Sequence, residues 1–279
     1  MPAYLNNQFI ENDEARLHVS DLSMQRGYGI FDFFRTVNGI PLFMDDHLNR
    51  FYASAEAMHL SMRKSREELS SIVYELINKS SLTEAGIRIM LTGGYSDDSY
   101  HPAEPNLLII CHPVKTSAQA DFEKGFSIIT HEYQRDLPLV KSINYLMAVW
   151  LQPLLKEKKA DDLLYFKNNI ITELPRSNVF IVTAENKLVT PAHNILKGIT
   201  RKNILSIAPE IMPVEERDIT VSELLNASEV FLTATTKRII PIIKIDGRAI
   251  GNGKPGIVTS ALYKKFIELE KSFAHLVSR

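Results

Sequence analysis

Phe31-Asp32-Phe33-Phe34-Arg35-Thr36-Val37, then Asn38-Gly39, then Ile40-Pro41-Leu42-Phe43, is the stretch from which the fold is read. Two runs rich in aromatic and β-branched residues flank an Asn-Gly pair, which tolerates the positive φ angles of a two-residue turn, so the stretch predicts a β-hairpin. Immediately downstream, Asp45 and Asp46 are placed to cap a helix whose apolar stripe is Leu48, Phe51, Tyr52, Ala55 and Met58. His47, Arg50 and Ser54 recur along another face of it. Arg50 is therefore expected on a helix beside a hairpin.

Further along, Ser65-Arg66-Glu67-Glu68 has capping-box spacing ahead of a second helix, and strand-like runs follow at Arg88–Thr92 and Asn106–His112. The polar, small-residue stretch Val114-Lys115-Thr116-Ser117-Ala118-Gln119-Ala120 is the best linker. It suggests a small α/β domain over residues 1–116 and a larger one over 117–279. In the second part, Phe126–His131 and Leu163–Phe166 read as strands, Tyr145–Lys158 as helix, and Asn168-Asn169 and Glu185-Asn186 as turns. From Gly256 to the end, Ile257, Ala261, Leu262, Phe266, Leu269 and Phe273 give a closing amphipathic helix. The fold class expected is α+β in two domains.

A chain of 279 residues exceeds the usual ~100–200 of one domain. Its 32 Lys+Arg against 33 Asp+Glu leave no global field to recruit nucleic acid or an anionic membrane. The single cysteine, Cys111, excludes a disulfide framework and a multi-Cys zinc site, and its apolar neighbours Leu107 to Ile110 read it as a buried hydrophobe. No metal is expected. The start Met1-Pro2-Ala3-Tyr4-Leu5-Asn6-Asn7 lacks the features of a signal peptide, and no run approaches the ~18 apolar residues of a membrane span. The expectation is a cytoplasmic protein.

Leu196-Lys197-Gly198-Ile199-Thr200-Arg201 precedes a helix-like stretch with Ile204, Leu205 and Ile207, so backbone N–H groups and the Thr200 hydroxyl would meet at a helix start, where a phosphate fits. A plain helix cap has the same residues. Thr233-Ala234-Thr235-Thr236 ends the strand run Glu229-Val230-Phe231-Leu232 and offers further hydroxyls, or only a solvated turn. Arg50 would supply a positive charge.

Taken in order, Val140-Lys141-Ser142-Ile143-Asn144-Tyr145-Leu146, Ile171-Thr172-Glu173, Ser177-Asn178-Val179-Phe180, Thr190-Pro191, Leu196 to Arg201, Glu229 to Thr233, Pro241, Asp246-Gly247 and Pro255-Gly256 resemble the class IV (fold type IV) aminotransferases that use pyridoxal 5'-phosphate. Gly29-Ile30-Phe31-Asp32 and His47-Leu48-Asn49-Arg50 are similar to that family's Gly-Val-Phe-Glu and His-x-x-Arg, with Asp32 in place of the commoner Glu. The family includes branched-chain aminotransferases, D-amino acid aminotransferases and aminodeoxychorismate lyases. The resemblance implies a cofactor at the interface of the two domains, and a homodimer.

By position, it implies that Lys141 carries the cofactor as a Schiff base and moves the substrate's α-proton. Glu173 would pair with the pyridine nitrogen, and Tyr145 would bond the phenolic oxygen or simply pack in its helix. Arg50, Ile199, Thr200 and Thr235 match the family's phosphate cup. Leu174-Pro175-Arg176 departs from the small residues usual there, and Arg176 is expected to face solvent.

The substrate side carries more departures. Arg88 resembles a position where branched-chain enzymes keep a pocket arginine, and Arg26 stands where many relatives have a tyrosine. Gly93 takes the place of the arginine that traps the carboxylate in the Val-Thr-Arg-Gly of typical D-amino acid aminotransferases. Arg26 and Arg88 are expected to clamp an α-carboxylate, or to share the two carboxylates of glutamate or 2-oxoglutarate, with Thr236 beside them and Arg26 reaching across a homodimer. The Lys-Ser-Ile-Asn spacing resembles the D-specific and lyase branches. The implied reaction is a ping-pong exchange between an amino acid and a 2-oxo acid such as 2-oxoglutarate or pyruvate. The alternatives are a branched-chain L-amino acid aminotransferase, or a lyase that eliminates pyruvate.

Overall fold

Asn38 and Gly39 both take positive φ, 51° and 77°, and close the expected hairpin. The computed structural model describes residues 1–117 and 119–277, so Ala118 of the linker and the last two residues of the closing segment lie outside the described residues. The chain divides into two units: Met1–Lys115 with Val140–Asn144 and Lys271–Arg279, and Thr116–Leu139 with Tyr145–Glu270. The sequence suggested a single cut after residue 116. The five residues around Lys141 fall instead with the first unit, because they hydrogen-bond to one of its strands.

In the first unit the elements are β1 (Pro2–Leu5), β2 (Gln8–Glu11), α1 (Leu22–Arg26), β3 (Gly29–Val37), β4 (Ile40–Pro41), α2 (Met44–Ala57), α3 (Arg66–Ser80), β5 (Ala85–Thr92) and β6 (Leu107–Pro113). The strands form one antiparallel sheet in the order β2-β1-β6-β5-β3-β4. Leu48 and Phe51 of α2 and Leu69, Val73 and Leu76 of α3 form one core with Ile87 and Ile89 of β5. Since side chains alternate along a strand, Arg88 and Met90 point to the other face, where their partners on β3 are Phe33 and Phe31.

Two boundaries differ from expectation. Phe43, in the left-handed region, starts α2, and Asp45 and Asp46 lie inside its first turn, where they favour the helix dipole without capping it. β5 begins at Ala85, so Arg88 is mid-strand; Gly86 pairs with Arg35 and leaves room for the Phe33 ring. Val140–Asn144 joins β3: Phe31 N donates to Lys141 O at 2.9 Å, Ile143 N donates to Gly29 O at 3.0 Å, and Ile30 bridges Ser142.

The second unit holds α4 (Gln119–Lys124), β7 (Phe126–Glu132), α5 (Leu146–Trp150), α6 (Gln152–Lys158), β8 (Asp162–Lys167), β9 (Ile170–Ile171), β10 (Asn178–Val182), β11 (Leu188–Thr190), α7 (Ile199–Ile207), β12 (Val214–Glu216), α8 (Val221–Leu225), β13 (Glu229–Ala234), β14 (Arg238–Ile245) and β15 (Arg248–Ala249). Its sheet runs β12-β11-β10-β13-β14-β7-β8-β9, with β15 on β14. The pairs β11/β12, β14/β7 and β7/β8 are parallel and the rest antiparallel. The helix expected over Tyr145–Lys158 is two, broken at Leu151, because Pro153 has no N–H to continue the ladder and suits a first turn. α9 (Ile257–Val277) closes the chain, and among the described residues no helix is long and apolar enough to cross a membrane.

Candidate active site

Asp32, on β3, is fully buried. It accepts hydrogen bonds at 2.8 Å from Arg50 Nε and Nη2, and His47 Nδ1 lies 2.7 Å from its Oδ1. Burial opposes the charge on Asp32, but Arg50 and His47 outweigh it and hold its carboxyl well below the usual carboxylate range. Burial pushes the His47 imidazole below its ordinary value against the pull of Asp32. A neutral His47 thus donates its Nδ1–H to Asp32. The His-x-x-Arg spacing places both side chains on adjacent turns of α2, facing one carboxylate.

One turn after Arg50 on the same helix, Ser54 Oγ accepts from Lys141 N at 3.2 Å. The Lys141 Nζ lies 4.6 Å from the centroid of the Phe31 ring, and the Arg88 guanidinium carbon lies 5.1 Å from it and 5.8 Å from that of Phe33. The ring faces thus attract both cations. An amine and a guanidinium are brought within about 10 Å of each other on a half-apolar sheet face.

In the second unit, Glu173 is 5% exposed. Its Oε1 accepts from Arg135 Nε at 2.8 Å, and its Oε2 from Leu196 N at 2.9 Å. The carbonyl of the same Leu196 accepts from Asn178 Nδ2 at 2.7 Å. Gly198, the residue before α7, lies against Asn178: a Cβ there would stand 2.1 Å from Asn178 Oδ1. Asn178 in turn pairs with Thr233 across β10 and β13. Glu173, Leu196 and Asn178 are therefore hydrogen-bonded in series, with the start of α7 at Ile199 three residues after Leu196, and with β13, which leads to Thr235 and Thr236, paired to Asn178 at Thr233. No side chain caps α7. Tyr145 immediately precedes α5.

The sequence model of the amino-transferase class IV family matches residues 29–245. The chain belongs to the class IV aminotransferases. It is a transaminase, and the family's cofactor, pyridoxal 5'-phosphate, is its cofactor. A Methanocaldococcus jannaschii protein with a provisional name as a branched-chain-amino-acid aminotransferase is 30% identical over 278 residues, covering 96% of each chain. The D-alanine aminotransferase of Bacillus licheniformis is 31% identical over 265 residues, covering 93% of each. The crystal structure of the Escherichia coli branched-chain amino acid aminotransferase has the same fold, with a TM-score of 0.90 at 24% identity over 96% of this chain and 94% of that one.

The chemistry of the side chains in this aminotransferase fits that cofactor. A lysine amine suits its aldehyde, a buried carboxylate suits its ring nitrogen, and an uncapped helix start with a hydroxyl suits its phosphate. The space beside Gly198 is taken by the Asn178 side chain, so a residue with a Cβ would disturb the start of that helix.

Other expected residues stand apart. Arg26 ends α1, is exposed, and donates Nη1 to Gln25 O at 2.8 Å. Gly93 has no room for a side chain: a Cβ would lie 2.8 Å from Tyr28 Cδ1 and 3.0 Å from Leu22 Cβ. α1 fills that space. Arg135 escaped the sequence reading, since its partner Glu173 is 38 residues away in the chain and the surrounding Gln134-Arg135-Asp136 carries no pattern.

Proposed function

We propose that this aminotransferase moves the amino group of a D-amino acid to a 2-oxo acid such as 2-oxoglutarate or pyruvate, with Lys141 as its catalytic residue. The observation that carries the reading is the Phe31 ring shared by Lys141 and Arg88, at 4.6 and 5.1 Å. It sets a carboxylate-binding guanidinium near the amine that moves the α-proton, as an α-amino acid requires.

When bound, pyridoxal 5'-phosphate supplies an aldehyde to take the amino group and a ring that draws electrons from the α-carbon. Lys141 binds it covalently and then acts as base and acid at the α-carbon. Glu173 keeps the ring nitrogen protonated. Arg50, Ile199, Thr200 and Thr235 hold the phosphate, Tyr145 bonds the phenolic oxygen, and Thr236 lies on the substrate side. Asp32 and His47 orient Arg50 by holding the Nε and Nη2 edge of its guanidinium.

Two features support the D-amino acid reading: the Lys141-Ser142-Ile143-Asn144 spacing, and relatives named as D-alanine aminotransferases. The mid-strand position of Arg88 and the M. jannaschii relative support a second reading, a branched-chain L-amino acid substrate. We place the enzyme as a homodimer, with Arg26 serving the partner's site. Leu146, Val149 and Trp150, on one face of α5 and 66–76% exposed, are suited to cover by a second copy. The deciding experiment mixes the yellow holoenzyme with single D- or L-amino acids in the absence of an oxo acid. Bleaching by D-alanine or D-glutamate and not by L-leucine or L-valine is expected; the reverse pattern overturns the handedness assigned.

A further inference from the structure

Arg135 touches more than Glu173. Its guanidinium lies 2.8 Å through Nε and 2.7 Å through Nη2 from Glu173 Oε1. The same Nη2 donates to the carbonyl of Pro138, which is three residues before Lys141 in the chain. Both partners of the ion pair are withdrawn from solvent, the side chains being 18% and 6% exposed. A buried carboxylate with no cation beside it favours the neutral acid, and a neutral acid cannot offer a ring nitrogen the anionic acceptor that keeps it protonated. The planar guanidinium puts two fixed donors, Nε and Nη2, on Glu173 Oε1 while the same Nη2 reaches Pro138, a rigid geometry that the single rotatable ammonium of a lysine does not reproduce.

We propose that Arg135 is a positioning residue for the transamination. It holds Glu173 charged and aimed, and its bond to the Pro138 carbonyl fixes the guanidinium where it does so. The remaining oxygen of Glu173 is fixed by Leu196 N at 2.9 Å, so the carboxylate is held from both sides and rotation of either oxygen breaks a charged bond. This inference rests on the assignment of Glu173 to the ring nitrogen.

The test uses the full-length enzyme in four forms: Glu173→Gln, Arg135→Gln, Arg135→Lys and the double variant Arg135→Gln/Glu173→Gln. Two quantities are measured for each: the dissociation constant of pyridoxal 5'-phosphate from the apoenzyme by protein fluorescence, and the rate of the first half-reaction with an amino acid donor. Arg135→Gln is expected to weaken cofactor binding and slow the half-reaction, by about 10–100-fold in the more affected of the two. Arg135→Lys keeps the charge without the fork and is expected to fall between wild type and Arg135→Gln. Because Arg135 acts through Glu173, the double variant should be no worse than Glu173→Gln alone. If Glu173→Gln changes neither quantity, the role assigned to Glu173 fails and takes this one with it. If Glu173→Gln is impaired while Arg135→Gln is not, or if the losses multiply in the double variant, the positioning role of Arg135 alone is overturned. Should circular dichroism show Arg135→Gln unfolded, Arg135→Lys decides, since wild-type values for both quantities would sink the proposal.

Discussion

Asp32 is fully buried, and its charge is tolerated because Arg50 binds it through two nitrogens, His47 through a third and the Phe33 N–H through a fourth. Replacing it with Ala would take the carboxylate away from a partly buried guanidinium, at a cost of about 3–5 kcal/mol, and would release Arg50 from the orientation proposed to bind phosphate. Urea unfolding and cofactor titration of Asp32→Ala should therefore both report losses. The carboxyl is held below its ordinary 3.8 in the folded chain. Its stabilisation is thus complete above that value and drains away as the pH falls towards the folded one. The His47 imidazole is also depressed, from an ordinary 6.5, so stability should begin to fall earlier, once the pH drops below 6.5. Urea midpoints measured against pH should show both declines, and His47→Gln should abolish the first and shrink the second to the part that Arg50 sustains. In the sequence, Asp32, His47 and Arg50 were legible because a strand position and an i, i+3 helix spacing place them. Arg135 was not: nothing local distinguishes an arginine that pairs across 38 residues from one in solvent.

Two helices of the enzyme begin in opposite ways, and the contrast separates stability from function. α3 starts with a complete capping box, Glu68 N to Ser65 Oγ at 3.2 Å and Ser65 N to Glu68 Oε2 at 2.7 Å. Ser65→Ala should cost about 0.5–2 kcal/mol of stability and leave cofactor affinity unchanged. α7 has no side-chain cap, and Gly198 ahead of it stands against Asn178. Gly198→Ala should force Asn178 off Leu196, tilt the first turn of α7, and weaken binding of pyridoxal 5'-phosphate. A variant that retained wild-type affinity in fluorescence titration would detach α7 from the phosphate. The capping box was legible from four residues because its bonds are local. The start of α2 and the start of β5 were misread because neighbours outside the window decide them: the hairpin delivers Phe43 already turned into the helix, and the Phe33 ring needs the empty space at Gly86. The break at Leu151 was legible in Pro153, though periodicity hid it.

Over the whole chain, ordered motifs fix the family, while substrate choice turns on a few side chains that the family varies. Gly93 makes the point. An arginine there is excluded by Tyr28 and Leu22, so a carboxylate trap at that position is closed to this chain. Arg88 is near Lys141 on the Phe31 ring, whereas Arg26 is exposed at the end of α1. If Arg26 serves the site of a second copy, a Lys141→Ala chain and an Arg26→Ala chain are each defective alone but complementary when mixed. A hybrid dimer then holds one site with Lys141 from the first chain's partner and Arg26 from the first chain, intact, and one site lacking both. Random reassortment makes about half the dimers hybrid and one site in two intact, so activity should return to about one quarter of wild type. Size-exclusion chromatography of the mixture must show a dimer, and Trp150→Glu on α5 should abolish both the dimer and the recovery. Were Arg26 to act within its own chain, the hybrid would carry one site without Lys141 and one without Arg26, and mixing the two chains would restore nothing.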